Sequence, residues 1–269
     1  MPIFIDQMKR AVAIPAAPKR IVSLVPSQTE LLKDLGLTNE VVGITKFCIH
    51  PKDWLMNKTR VGGTKNVNFE TIEKLQPDLI IANKEENSQE DILLLEKKYP
   101  VWISNIIDLN DALLMIKEVG VITNRIEAAM HLSEKIRIQF EALEKLMEGK
   151  QKRRVAYFIW NKPMMAAGTD NFINDMLRRC CLENIFEQSS YFNEQKQSVR
   201  YPVIQANELS TAAPDLILLS SEPFPFREKH IQAFKAICPL AEIKIVDGEM
   251  FSWYGSRLQF SADYFKTVI

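Results

Sequence analysis

The chain is poor in glycine and histidine, two residue types on which many catalytic motifs depend. Nine glycines and three histidines occur among its 269 residues. No glycine-rich loop of the kind that cradles phosphates or a dinucleotide follows the first strand-like segment. The nucleophile-elbow, P-loop and zinc-protease patterns are missing as well. We therefore expect a protein that is not an enzyme and that has no catalytic cofactor.

The spacing of the cysteines and the net charge argue against further classes of protein. The four cysteines show no CxxC spacing, so neither a zinc cage nor a redox pair is expected, and we interpret them as buried, reduced thiols. Lysine plus arginine and aspartate plus glutamate both number 34, which gives a net charge of zero. Nucleic-acid binding requires a basic excess, so this balance argues against a nucleic-acid partner.

Long apolar runs are absent too. No run approaches the roughly 20 residues that cross a bilayer. The N-terminal residues lack the apolar core and the cleavage site of a secretory signal. Two locations stay open: the cytoplasm, if Met1 is the native start, or the periplasm or membrane surface, if a signal was removed.

What the sequence does contain is a repeated segment. Residues 69–83 and 206–220 both consist of a short amphipathic helical pattern, then Pro-Asp, then a branched apolar run typical of a buried strand. Strand and helix patterns alternate around each copy, which favours parallel sheets covered on both faces. We predict an α/β fold of two Rossmann-like lobes with mainly parallel sheets, joined by one long α-helix. The predicted parts are an N-terminal lobe at 1–123, the interlobe helix at 124–149 and a C-terminal lobe at 150–269.

Five sequence motifs lie at 20–32, 42–44, 68–70, 77–81 and 183–186. Together, in this order, they resemble the class III substrate-binding proteins of ABC importers. These are the helical-backbone receptors for cobalamin, haem and ferric siderophores, and the opening motif is most similar to the cobalamin-binding branch. The resemblance implies a monomer that binds one ligand in the cleft between its lobes and delivers it to a membrane permease.

On the first lobe, ligand contacts are expected where strands end. Pro26 and Ser27 would place free backbone N–H groups at a helix N-terminus. The alternative is simple helix capping, since Ser27 and Glu30 have the capping-box spacing. Phe47 could lie against a flat macrocycle or, alternatively, anchor its loop. The remaining candidates are Thr64 and Asn83, which align with two tryptophans of the relatives, and His50, a possible axial ligand of a bound metal.

On the second lobe, the candidates are aromatic. Trp160 follows the lobe's first strand and either lines the pocket or belongs to the core, Met165 is an adaptable pocket wall, and Tyr201 stands where the relatives have a tryptophan. Residues 188–201 are predicted to form a mobile loop. A cluster between the last strand and the last helix suits an amphipathic ligand with a polar edge, the alternative being a surface cluster that closes the last helix. Its members are Phe251, Trp253, Tyr254 and Arg257.

Two glutamates are candidates for permease docking. In the relatives, one exposed glutamate on each lobe contacts permease arginines, and Glu70 matches the first of these positions. The second aligns with Asn207, next to Glu208. The alternative for both glutamates is a merely solvated side chain, because exposed charge pairs give orientation more than affinity.

The expected function is thus a receptor for cobalamin or a related corrinoid. A ferric siderophore or haem receptor of the same fold is the alternative within the class. The alternative of another class is a cytoplasmic enzyme or a metallocofactor-handling protein on a two-lobed α/β fold.

Overall fold

The structure is a computed structural model that describes residues 1–187 and 199–269. It divides into two compact units. Unit 1 comprises 1–106, 110–137 and 253–259, and unit 2 comprises 107–109, 138–252 and 260–269. Most of the loop predicted at 188–201 lies outside the described residues. Within the described part of the chain, no helix has both the length and the apolar content needed to cross a membrane.

Unit 1 is built on a five-stranded parallel sheet with the order β5-β4-β3-β6-β7. An antiparallel hairpin, β1-β2, precedes it. From the central strand β3 the chain moves first to one side and then to the other, so the topological switch point lies between β3 and β6. The elements up to the long helix are β1 (Ile3–Ile5), β2 (Ala11–Ala13), β3 (Ile21–Ser23), α1 (Pro26–Asp34), β4 (Val41–Ile44), α2 (Lys52–Asn57), β5 (Thr59–Arg60), α3 (Phe69–Leu75), β6 (Leu79–Asn83), α4 (Gln89–Leu95), β7 (Val101–Ser104), α5 (Leu109–Ile122) and α6 (Ile126–Met147).

Unit 2 repeats the plan with the parallel order β10-β8-β11-β12, and β9 pairs antiparallel with β8. Its switch point lies between β8 and β11. The elements are β8 (Arg153–Trp160), β9 (Met165–Ala166), α7 (Phe172–Arg179), β10 (Leu182–Asn184), α8 (Ala206–Ala212), β11 (Leu216–Ser220), α9 (Glu228–Ile237), β12 (Glu242–Val246), α10 (Gly248–Ser252) and α11 (Leu258–Val268).

The repeated Pro-Asp segments make equivalent hydrogen bonds in both units. The Asp78 carboxylate accepts hydrogen bonds from the backbone N–H groups of residues 19 and 20, at 2.7 and 2.8 Å. Asp215 accepts one from the backbone N–H of Arg154 at 2.8 Å. The side chains of Arg20 and Arg154 in turn donate to carbonyl groups at the ends of α3 and α8. Each repeat therefore ties the end of a helix to the start of the neighbouring strand.

The predicted fold class is confirmed: two Rossmann-like lobes with mainly parallel sheets, and one long helix, α6, that runs from unit 1 into unit 2. The capping-box prediction for Ser27 and Glu30 is wrong. The N-cap of α1 is Val25, whose side chain makes no capping bond, and Pro26 begins the helix. Glu30 is instead paired with Arg257. The β1-β2 hairpin and the short helix α10 were not predicted.

Candidate functional site

The start of α1 is closely covered by another part of unit 1. Pro26 lies in the first helical turn, where a backbone N–H would have no acceptor within the helix. Ser27 is buried. A Cβ on Gly255 would stand 2.5 Å from the Ser27 carbonyl oxygen. Only glycine allows the backbone of segment 253–259 to approach α1 this closely.

An ion pair and two rings hold the same segment in place. Arg257 donates to both carboxylate oxygens of Glu30, at 2.9 and 2.6 Å. Its guanidinium lies 5.1 Å from the centroid of the Trp253 ring, and His50 meets that ring edge-on at 5.5 Å. Burial raises the pKa of Glu30, and Arg257 opposes that rise. Trp253, predicted as a ligand contact, is only 6% exposed, and Tyr254 beside it is buried as well.

Polar side chains fill the switch point of unit 1. The Asn83 amide donates to the hydroxyl of Ser104 at 3.0 Å, and its oxygen accepts from the backbone N–H groups of residues 85 and 86. Gln28 donates to the same Ser104 hydroxyl at 2.5 Å. Asn87 donates to the carbonyl of half-buried Thr64 at 3.0 Å. The candidate Asn83 is therefore buried and committed to this amide network.

Phe47 is the exposed aromatic among the unit 1 candidates. It follows β4, and 51% of its surface is exposed. The ammonium group of Lys46 lies 5.1 Å from its ring centroid. The next residue, Cys48, is buried, and its thiol lies within hydrogen-bond distance of Thr29 and Thr45. Burial raises the pKa of that thiol, so the loop is anchored through Cys48 while Phe47 presents a ring to solvent.

In unit 2, Trp160 ends β8 and is 39% exposed. Its Nε1 donates to the carbonyl of Lys162 at 3.1 Å. Its ring meets Phe224 at 5.6 Å and 64°. Phe224 follows β11 and was missed as a candidate, although the aromatic and proline-rich run Pro223-Phe-Pro-Phe226 after a predicted strand marks it in the sequence.

The other unit 2 candidates differ in burial. Met165 is half-buried and lies opposite Trp160 in the β8-β9 pairing. Tyr201 is half-buried at the edge of the described residues. Phe251 is fully buried, with ring contacts to Tyr157 at 5.1 Å and to Phe265 at 4.5 Å. In this structure Phe251 is part of the core of unit 2.

The two docking candidates, Glu70 and Glu208, are both exposed, but they have different roles at the starts of their helices. Glu70 lies in the first turn of α3, which is capped by Asn68 rather than by Glu70. Glu208 accepts a hydrogen bond from the backbone N–H of Gln205 at 2.6 Å, so it caps its own helix, α8. Among the described residues, no group of three or more His, Cys, Asp or Glu side chains is arranged to hold a metal ion.

Known proteins share both the sequence pattern and the fold. The vitamin B12-binding protein of Vibrio campbellii is 25% identical over 75% of this chain and 70% of its own length. An ABC transporter substrate-binding lipoprotein of Bacillus subtilis is 29% identical over 64% of this chain and 57% of its own length. The periplasmic vitamin B12-binding protein of Vibrio cholerae has a TM-score of 0.80 at 20% identity, covering 94% of this chain and 98% of that one.

Periplasmic haem-binding proteins share the fold at TM-scores of 0.74 to 0.76, so the fold alone does not select a ligand. A family model described as periplasmic binding protein matches residues 21–240, which is most of the chain and includes the parallel sheet of unit 1 and every strand of the unit 2 sheet except β12. The resemblance found in the motifs is confirmed. The chain belongs to the periplasmic binding protein family.

Proposed function

We propose that this periplasmic binding protein captures cobalamin or a related corrinoid outside the cytoplasmic membrane and delivers it to an ABC permease. The observation that carries the proposal is the sequence match to vitamin B12-binding proteins, which extends over 70% of the length of the Vibrio campbellii protein. Such coverage includes both halves of the chain rather than one shared motif. The protein would bind its cargo without altering it.

The exposed rings give the ligand its contacts in this proposal. Phe47 follows a strand of unit 1 and Trp160 is the last residue of a strand of unit 2. Open α/β sheets bind ligands at the carboxyl ends of their strands. Both rings are exposed enough to bury apolar ligand surface. Half-buried Met165, opposite Trp160 in the β8-β9 pairing, supplies an adaptable wall, and half-buried Tyr201 is a further proposed contact.

The buried candidates support the site rather than touch the ligand. Trp253 and Arg257 hold segment 253–259 against α1. Asn83 is hydrogen-bonded to Ser104 within the amide network. Glu70 is the proposed docking contact on unit 1, where its carboxylate is exposed. Glu208 is proposed for unit 2, although one of its oxygens is bound to the cap of α8.

Titration of the purified protein with cyanocobalamin tests the ligand. We expect saturable heat in calorimetry and quenching of tryptophan fluorescence, mostly from Trp160, because Trp54, Trp102 and Trp253 are buried. Trp160→Phe is the control, and it should abolish most of the quenching. Haemin and a ferric hydroxamate siderophore are titrated in parallel. Tighter binding of either of these than of cyanocobalamin would refute the corrinoid assignment.

A further inference from the structure

We infer that Phe224 and Trp160, whose rings lie at 64° to each other, together form a rigid aromatic platform. One ring lies against the ring face of the ligand and the other meets the ligand edge-on, and the platform selects a broad, flat ring system over a hydrophilic chelate. This inference rests on the proposed binding function and adds Phe224 as a residue that determines specificity. It is drawn from the ring contacts around the end of β8, which lie wholly within unit 2.

The Trp160 ring has no free hydrogen-bond donor to offer a ligand. Its only N–H group already donates to the Lys162 carbonyl, and one side of its ring meets Phe224. The exposed 39% of the residue can therefore offer a ligand a hydrocarbon surface but no indole hydrogen bond. Such a surface suits a ring that stacks, whereas a chelate covered with hydroxamate or hydroxyl groups would lose hydration without compensation.

Phe224 is fixed by its backbone and by the rings beneath it. Its N–H donates to the carbonyl of Ile159 at 3.3 Å, which ties the loop after β11 to the end of β8. Its ring lies 4.8 Å from that of buried Phe226, which lies 5.9 Å from Phe234 in the core. A continuous column of rings thus runs from the exposed Trp160 to the core, and a platform held in this way loses little conformational entropy when a ligand binds.

The neighbouring histidine strengthens this column. The ring of His230 meets Phe224 edge-on at 5.3 Å and Phe226 at 5.5 Å. Its Nδ1 lies 2.9 Å from the backbone N–H of Arg227, at the start of α9. His230 therefore packs the platform from below and closes the helix end.

The position of the platform also matches that of a binding site. The switch point of unit 2 lies between β8 and β11. Trp160 is the last residue of β8, and Phe224 lies in the loop that follows β11. Open α/β sheets bind ligands outside the carboxyl ends of their strands at such a point. Exposed Trp160 and half-buried Phe224 therefore lie where the topology leaves a crevice.

Two matched substitutions in one loop test the platform. Phe224→Leu keeps an apolar side chain but removes the ring that contacts Trp160. Phe226→Leu makes the same change at the neighbouring ring, which is buried. With cyanocobalamin in calorimetry, we expect Phe224→Leu to weaken binding about three- to tenfold with little change in Tm. Phe226→Leu should lower Tm and, because Phe226 supports Phe224, should weaken binding by less than Phe224→Leu does. Trp160→Ala should weaken binding more than Phe224→Leu does.

The outcomes separate this inference from the function on which it rests. If the wild-type protein binds cyanocobalamin and both Phe224→Leu and Trp160→Ala bind equally well, the platform is refuted and the function stands. If the wild-type protein binds haemin instead, the corrinoid assignment fails, and loss of haemin affinity in the same two variants would still support the platform. A preference for a ferric hydroxamate, which has no flat face, would overturn the inference.

Discussion

Glu118 on α5 offers a test of how burial couples the stability of unit 1 to pH. Its Oε2 is buried and has no hydrogen-bond partner among the described residues. Burial, and then the nearby negative charge of Asp6, raise the pKa of this carboxyl from 4.5 to about 7. The folded protein therefore holds the Glu118 proton more tightly than the unfolded chain does. We predict that Glu118→Gln makes the protein more stable at pH 8.

The direction and the size of this pH effect follow from the linkage between protonation of Glu118 and folding. The stability that the protonated carboxyl contributes is complete below pH 4.5 and is lost as the pH rises through about 7. The difference between the two pKa values corresponds to about 3.4 kcal/mol at most. Glu118 is only partly buried, so solvent screening reduces the expected effect to roughly 1 to 2 kcal/mol. The glutamine variant carries no charge at either pH and should not show this loss.

Urea unfolding at pH 5 and pH 8 measures the effect. The wild-type free energy of unfolding should fall between these pH values by roughly 1 to 2 kcal/mol more than that of Glu118→Gln. Glu148→Gln, at an exposed position near the end of α6, is the matched control and should follow the wild type. Equal pH dependence in the wild type and Glu118→Gln would show that Glu118 is solvated, and the reasoning from its burial would fail.

Two further predictions concern the candidate residues. Arg257→Ala should lower the free energy of unfolding by roughly 2 to 4 kcal/mol, because it leaves the carboxylate of Glu30 partly buried without its partner, while calorimetry should show little change in ligand affinity. A large loss of affinity at unchanged stability would instead make Arg257 a ligand contact. Glu70→Lys should preserve Tm and ligand affinity but reduce ligand-stimulated ATP hydrolysis by the reconstituted permease. If Glu90→Lys on α4 causes an equal reduction, the effect reflects net charge, not docking at Glu70.

Local sequence pattern was sufficient for the fold. The strands after the two Pro-Asp segments are fully buried runs, and their composition is that of strands covered on both faces. The Pro-Asp pair is itself informative, because the aspartate binds the backbone at the start of the neighbouring strand. Such signals lie within about 15 residues of chain, so one sequence reveals them. The β1-β2 hairpin was missed because its three-residue strands are too short to show a period.

The site was harder to predict because its contacts join distant residues. Arg257 and Glu30 are separated by 227 positions, and nothing in the local pattern around either residue indicates their pairing. The cluster from Phe251 to Arg257 therefore resembled a ligand-binding segment, whereas the structure buries Phe251 and Trp253. From the sequence, Glu208 is likewise a candidate surface contact. The hydrogen bond that it accepts from the backbone N–H of Gln205 is visible only in the structure.

The two switch points lead to different expectations for recognition. In unit 1, Asn83, Asn87 and Ser104 occupy the crevice and are already hydrogen-bonded, whereas the buried Oε1 of Gln28 in the same network has no hydrogen-bond partner among the described residues. In unit 2, the corresponding position carries Trp160 and Phe224, supported by a column of rings. Exposed aromatic surface on a rigid support binds at low entropic cost, whereas polar groups that are already hydrogen-bonded gain little from a new partner. The larger share of ligand discrimination should therefore come from the aromatic residues of unit 2, with Phe47 as the main contribution from unit 1.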